Sequence, residues 1–74
     1  MSKLPQISGR KLVKALEKIG YEAVRQRGSH IRLYPSDKAK KRITIPDHRN
    51  ISRGLLRRIL RDAQISPEDL SKLL

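Results

Sequence analysis

The chain contains no cysteine, tryptophan or phenylalanine, and it has only two tyrosines. Without cysteine it forms neither disulfides nor a thiolate zinc site. No apolar run is longer than two residues, whereas a transmembrane helix needs about 20. The first residues show no apolar core of a signal peptide, so we expect a cytoplasmic protein.

Acidic residues are also scarce. The 74 residues include 18 Lys and Arg but only 7 Asp and Glu, which gives a formal net charge of +11 with neutral histidines. The acids are scattered, so we do not expect a nuclease site built from clustered carboxylates and two metal ions. No Gly-rich phosphate loop or Walker-type motif is present. The excess of positive charge favours a polyanionic partner, which is nucleic acid, a membrane surface or an acidic protein.

The spacing of apolar residues predicts three helices. The first covers residues 8–19, with Ser8 as its N-cap and Gly20 as its stop. The second covers residues 52–64, and a short third helix follows Ser66, which is its N-cap. Their apolar stripes are formed by Leu12, Val13, Leu16 and Ile19, by Leu55, Leu56, Ile59, Leu60 and Ala63, and by Leu70, Leu73 and Leu74.

Three segments between the first two helices have the composition or the alternation of strands. A turn is predicted at residues 27–29 and a basic loop at residues 38–41. Such short connections imply an antiparallel meander. We therefore predict an α+β fold of two layers, in the order α-β-β-β-α plus a short C-terminal helix, as one domain over residues 1–74. The predicted strands cover residues 21–26, 30–34 and 42–45.

Alternation along the strands assigns side chains to the two sides of the sheet. Ile31, Leu33, Ile43 and Ile45 are predicted to face the helices. The opposite side of the sheet is left to solvent. It combines an imidazole, two guanidiniums, a phenol and a hydroxyl, and this combination is more typical of a functional surface than of a merely solvated one. That open face carries His30, Arg32, Tyr34, Arg42 and Thr44.

His30 is the main candidate for chemistry on the open face. An imidazole exchanges a proton near neutral pH. Cleavage of RNA by its own 2′-OH requires a base for that proton, cations for the phosphorane charge and an acid for the leaving 5′-oxygen. His30 can supply the base, and neighbouring arginines can supply the cations. The alternative, which composition and spacing alone favour, is that His30 is a solvated turn residue at a strand end.

A second histidine, His48, follows Pro46 and Asp47 at the end of the third strand. It is either a second acid–base group or phosphate contact, or a loop residue that hydrogen-bonds to backbone. The residues alone favour the loop role. Asp47 is a candidate to orient either histidine.

Positive charge is concentrated in the 18 residues from 25 to 42. Seven cations and a single acid, Asp37, give this stretch a local charge of 7 − 1 = +6. We expect the phosphates of a nucleic acid to bind here. Tyr34 either stacks on an unpaired base or caps the sheet edge. The predicted RNA contacts are Arg25, Arg27, Ser29, Arg32, Tyr34, Lys40, Lys41, Arg42 and His48.

Several motifs together resemble the HicA family. They are Gly28-Ser29-His30, the segments 43–48 and 54–63, and the opening residues 8–11. The resemblance implies a double-stranded-RNA-binding-domain-like fold and the role of a toxin in a type II toxin–antitoxin pair. It further implies metal-independent and cofactor-free cleavage of mRNA that arrests translation and growth, with His30 as the catalytic residue.

The resemblance also implies a protein partner, an antitoxin similar to HicB, which has a partial RNase H fold and covers the active face. We expect the free chain to be a monomer that forms a hetero-oligomer with this antitoxin, and we expect no membrane association. Membrane binding is disfavoured by the residues themselves, because no amphipathic stripe lacks a core partner.

Two other functions remain open. The first is a non-catalytic module of the same fold that binds double-stranded RNA, in which His30 is one contact among several. The second is a helix-turn-helix type of DNA binder, although the predicted second helix has no short helix packed before it. Its DNA contacts would be Arg53, Arg57, Arg58 and Arg61.

Overall fold

A computed structural model describes residues 4–74 of the chain. The predicted order of helices and strands is confirmed, and the fold is α+β with one antiparallel sheet. The elements are α1 (Gly9–Glu17), β1 (Tyr21–Arg27), β2 (His30–Pro35), β3 (Ile43–Pro46), α2 (Arg53–Ala63) and α3 (Pro67–Leu73).

Side-chain caps start each helix, which confirms the predicted N-caps Ser8 and Ser66 and adds Ser52. The hydroxyls of Ser8 and Ser52 accept hydrogen bonds from backbone N–H groups in the first turns of α1 and α2. Ser66 and Asp69 form a reciprocal capping box at α3. The predicted end of α1 is two residues too late. The chain tightens into i→i−3 hydrogen bonds after Glu17 and reverses at Gly20, where φ is +99°.

The sheet has the order β1-β2-β3, and both pairs of neighbours are antiparallel. Arg27 pairs with His30, so the predicted three-residue turn is wrong and the connection contains only Gly28 and Ser29. Gly28 has a φ of +59°, and glycine at the first central position with positive φ is typical of a type II′ hairpin turn. The register of β1 shifts between Ala23 and Arg25, which marks a β-bulge.

The core lies between the sheet and the helices. Ile31, Leu33, Ile43 and Ile45 are all buried, which confirms the predicted helix-facing side. The helices contribute buried residues from each predicted stripe. The exception is Leu74, which is 56% exposed because it follows the end of α3. Leu55, Ile19 and Leu73 are half-buried at the margin of the core.

The other side of the sheet is open. His30 and Arg32 are exposed there, and Tyr34 and Thr44 are half-buried. This arrangement confirms the expected double-stranded-RNA-binding-domain-like fold. Within residues 4–74, no helix is long and apolar enough to cross a membrane. The same part of the chain contains no group of three or more His, Asp or Glu side chains placed to hold a metal ion.

Candidate functional site

Cross-strand pairing arranges the open face in rows. One row contains Arg27 and His30, and the next contains Arg25, Arg32 and Thr44. Residues directly opposite each other have Cβ atoms about 5 Å apart, so these side chains form one cluster. They line a shallow concavity of about 160 Å3, which we call the open-face concavity. Its lining residues are Arg25, Arg27, His30, Arg32 and Thr44.

The β-bulge in β1 decides that two of these arginines belong to the concavity. Ala23 lies opposite Leu33 and Arg25 lies opposite Arg32, so Val24 is the extra residue. Without the bulge, strict alternation would place Arg25 and Arg27 on the same side as Ala23, towards the helices. Bulges re-aim side chains in this way and are common beside functional sites. Val24 itself is 44% exposed.

No carboxylate among residues 4–74 forms an ion pair with the arginines of the concavity. In the described part of the chain, the side chains of Arg25 and Arg27 make no hydrogen bond or ion pair. Arg32 donates a hydrogen bond to Thr44 Oγ1 over 3.1 Å. Arg25 and Arg32 are direct cross-strand neighbours, and like charges in that position destabilise a sheet. An anion bound between them removes this repulsion.

Backbone contacts position His30 at the start of β2. Gly28 provides the tight turn, and the Ser29 carbonyl oxygen accepts a hydrogen bond from the Asp47 N–H over 2.6 Å. His30 pairs with Pro46 on β3. The imidazole is exposed and has no hydrogen-bond partner within the described residues. It is therefore available to a ligand.

The first turn of α1 supports this end of the sheet. The Gly9 N–H donates to the His48 carbonyl oxygen over 2.9 Å. A Cβ added to Gly9 would overlap the carbonyl oxygen of Pro46. Only glycine permits this close approach of helix and strand. Gly9 thus fixes the strand end that pairs with His30.

Arg10 and Asp47 form an ion pair on the helix-covered side of the sheet. Arg10 Nε lies 3.0 Å from Asp47 Oδ1, and Arg10 Nη2 donates to Asp47 Oδ2 over 3.1 Å. Gln26 Nε2 also donates to Oδ2, over 3.4 Å. The hydrogen bonds from Arg10 hold the pKa of the Asp47 carboxyl below its usual range, and they raise the pKa of Arg10. The prediction that Asp47 orients a histidine is wrong, because its carboxylate bonds to Arg10 and Gln26 and to neither imidazole.

His48 lies at the same end of the sheet as His30, two residues after Pro46. Its backbone carbonyl is bonded to Gly9, and its side chain is exposed and without a hydrogen bond in the described part of the chain. The backbone contact agrees with the loop role, and the exposed ring leaves the acid–base role a prediction.

Tyr34 is already in contact with arginine. The Arg42 guanidinium carbon lies 4.1 Å from the centroid of the Tyr34 ring, and that of Arg32 lies 5.9 Å away. Arg42 Nη1 is also 3.5 Å from the Tyr34 hydroxyl. A base that stacks on this ring must share it with Arg42. Arg42 lines a neighbouring groove and does not line the open-face concavity.

Lys40 and Lys41 lie at the opposite end of the sheet from His30, in the loop between β2 and β3. Strands rise about 3.3 Å per residue, so the length of β2 separates them from His30 by about 17 Å. Lys41 Nζ is 3.9 Å from Asp62 Oδ1. The structure therefore does not bring these two lysines together with His30.

Sequence reasoning missed the supporting roles of Gly9 and Arg10. Ser8-Gly9-Arg10 was recognisable as a helix start, but nothing local in the sequence connects Arg10 with Asp47, which is 37 positions away.

The arginines of α2 are exposed, as predicted for a solvated or DNA-binding face. A strand and a loop precede α2, so α2 is not the second helix of a helix-turn-helix unit.

The chain is similar to one known family of proteins. No curated protein and no solved structure gives a significant match. A sequence model of one family, described as the HicA toxin of bacterial toxin–antitoxin, matches residues 9–65. The match begins at Gly9 and includes every residue of the open-face concavity. Such a family implies an antitoxin partner. The chain belongs to the HicA toxin family of toxin–antitoxin systems.

Proposed function

We propose that this toxin is an endoribonuclease that cleaves mRNA on the open face of its sheet. One observation carries the proposal: His30 and three arginines share a concavity, and none of the four is paired with a carboxylate in the described chain. A phosphodiester brings the negative charge that this cluster lacks. RNA also brings its own nucleophile, the 2′-OH, next to each phosphorus.

The proposed step is an internal transesterification. His30 accepts the proton of the 2′-OH, and the 2′-oxygen forms a bond to the adjacent phosphorus. The bond between phosphorus and the 5′-oxygen then breaks, and the 5′-oxygen takes up a proton. The products are a 2′,3′-cyclic phosphate and a 5′-OH end. The proton is returned by the His30 imidazolium or is supplied by a second acid, for which His48 is the candidate because it lies at the same end of the sheet.

The arginines have a different task from His30. Negative charge accumulates on the non-bridging oxygens as the phosphorane forms, and fixed cations in place before the reaction stabilise that charge most effectively. Arg25 and Arg32 lie opposite each other, so a phosphate bound between them contacts both. Thr44 holds the Arg32 guanidinium through its hydroxyl oxygen. We assign phosphate binding to Arg25, Arg27 and Arg32, and we keep Ser29 as a turn residue beside them.

The antitoxin partner is proposed to be a HicB-like protein that covers the open face. A face whose arginines lack carboxylate partners suits an acidic surface as well as it suits RNA. We expect amide hydrogen exchange of β2 to slow when the antitoxin binds. Equal exchange with and without the antitoxin would contradict this placement.

The test compares three forms of the protein in growing cells. Wild type is expected to arrest growth and fragment mRNA, whereas His30→Ala does neither although it folds. Lys14→Ala is the matched control, because it removes an exposed cation from α1 on the helix-covered side. It should behave as wild type. Thermal unfolding of the purified variants confirms that each is folded.

Other results would lead to other conclusions. If folded wild type and His30→Ala are both harmless, the chain is a binding module without nuclease activity, such as a double-stranded-RNA binder. If His30→Ala remains fully toxic, His30 is not the base. If Lys14→Ala is as harmless as His30→Ala, the effect reflects total charge and does not identify the open face.

A further inference from the structure

A second groove lies beside the open-face concavity, between β3 and α2. It encloses about 320 Å3 and is called the β3–α2 groove. Arg42 and Thr44 contribute from the strand side, and Arg58 and Asp62 contribute from the helix. The apolar side chains of Leu55 and Ile59 also line it. None of the predicted RNA contacts apart from Arg42 belongs to this groove.

We propose that the β3–α2 groove binds a second phosphate of the same RNA strand, outside the cleaved dinucleotide. The inference rests on the proposed function and adds an RNA subsite to it. Thr44 is the physical link, because it lines both the open-face concavity and the groove. A strand whose scissile phosphate lies beside His30 therefore enters the groove by passing over Thr44.

The charged side chains that line the groove favour binding of an anion. Arg42 is held against the Tyr34 ring at 4.1 Å, so its guanidinium is already positioned on the path from the concavity. The Arg58 side chain is exposed and makes no hydrogen bond or ion pair in the described part of the chain. The one carboxylate present, Asp62, lies 3.9 Å from Lys41 Nζ, which offsets its charge. Of the two arginines that line the groove, Arg58 is thus the one whose side chain is available to bind a phosphate.

The groove also suits the other parts of a nucleotide. Leu55 is half-buried and borders the groove next to the buried Ile59. Apolar surface next to a cation accommodates a ribose or the face of a base as well as the phosphate. A free inorganic anion would use only the cations. The combination favours a nucleotide unit of a longer strand.

The subsite has a measurable consequence for binding. Each phosphate contact on single-stranded nucleic acid contributes about 0.7 to the slope of log K against log salt concentration. An RNA that reaches the groove should bind with a steeper slope than one that fills only the concavity. The additional slope should disappear when Arg58 loses its charge.

The experiment uses two neighbouring arginines of α2 as a matched pair. Arg57 and Arg58 are both exposed, but Arg57 lines a separate depression with Leu60 and Arg61. Fluorescent 2′-O-methyl oligonucleotides, which lack the 2′-OH nucleophile, serve as uncleaved probes of two and ten nucleotides. Binding of the ten-nucleotide probe is measured by anisotropy over a range of NaCl concentrations, and the dinucleotide is measured by competition.

Arg58→Ala is expected to weaken binding of the ten-nucleotide probe several-fold. It should also reduce the slope of log K against log salt concentration by about 0.7. It should leave dinucleotide binding unchanged. Arg57→Ala should change neither, and Arg58→Lys should keep the slope because it keeps the charge. The proposal is overturned if Arg57→Ala and Arg58→Ala have the same effect on RNA binding. It is also overturned if Arg58→Ala weakens binding of the antitoxin but not binding of RNA.

The two proposals fail independently in this design. If wild type cleaves RNA but Arg58→Ala binds the ten-nucleotide probe as wild type does, the subsite is wrong and the ribonuclease stands. If the Arg58-dependent slope is present but no RNA is cleaved, the subsite stands and the nuclease proposal is wrong.

Discussion

The two sides of the sheet handle positive charge in opposite ways. On the helix-covered side, Arg10 has a carboxylate partner, Asp47, at 3.0 Å. On the open side, Arg25 and Arg32 face each other and have no carboxylate partner within the described residues. The same strand, β2, supplies the buried Leu33 to one side and exposed Arg32 to the other.

This difference separates residues that maintain the fold from residues that serve a ligand. A charge neutralised within the protein contributes to the folded structure itself. A repulsive cluster left unneutralised costs stability in the free protein and is relieved by an anion. Substitutions on the two sides should therefore affect different properties, namely stability on the helix-covered side and RNA binding or cleavage on the open side.

The largest effect on stability is expected at adjacent positions of β2. Leu33 is 0% exposed, so Leu33→Ala should lower the free energy of unfolding by about 2–5 kcal/mol through lost burial and a cavity. Arg32→Ala should change it by no more than about 0.5 kcal/mol. Urea denaturation measures both, and equal losses would contradict the assignment of the two sides.

A smaller effect is expected where α1 meets β3. Gly9→Ala should destabilise the protein by about 1–3 kcal/mol, because the added methyl group must displace the backbone of Pro46. Gly54→Ala is the matched control, since an added Cβ there meets nothing within 4 Å. It should be neutral or stabilise α2 by about 0.5–1 kcal/mol. Thermal unfolding distinguishes them, and equal melting temperatures would show that the close approach is unimportant.

The Arg10–Asp47 pair predicts a pH dependence of stability. The pKa of Asp47 is lowered in the folded protein, so the pair contributes fully above the usual aspartate pKa of about 3.9. Its contribution is lost as pH falls through the lower pKa of the folded state. Asp47→Asn and Arg10→Ala should each flatten the acid side of the stability curve. A wild-type curve in Asp47→Asn would contradict this.

The smallest effect is expected from a simple anion on the open face. Inorganic phosphate at a concentration equal to its Kd should stabilise wild type by about 0.4 kcal/mol. Arg25→Ala should reduce the effect because it removes one cation of the concavity, whereas Lys14→Ala should not. Thermal unfolding at constant ionic strength measures the difference. Equal stabilisation of both variants would place the anion elsewhere.

The core and the composition of the open face were largely predictable from sequence, because periodicity is a local property. Alternation in β2 and β3 was sufficient to place Ile31 inside and His30 outside. The bulge at Val24 was not predictable, since alternation in β1 would send Arg25 to the helix side. The contact of Arg42 with Tyr34 and its separation from His30 depend on the three-dimensional positions of β2 and β3.

Cleavage through the 2′-OH is tested with two RNAs, one with a single known cleavage position and a matched one that carries a single 2′-deoxy nucleotide there. We expect wild type to cut the first RNA to a 2′,3′-cyclic phosphate and a 5′-OH end, and we expect folded His30→Ala to leave it intact. Wild type should leave the 2′-deoxy bond intact. Cleavage of that bond at an unchanged rate would show that the 2′-OH is not the nucleophile and would contradict the mechanism assigned to the open face.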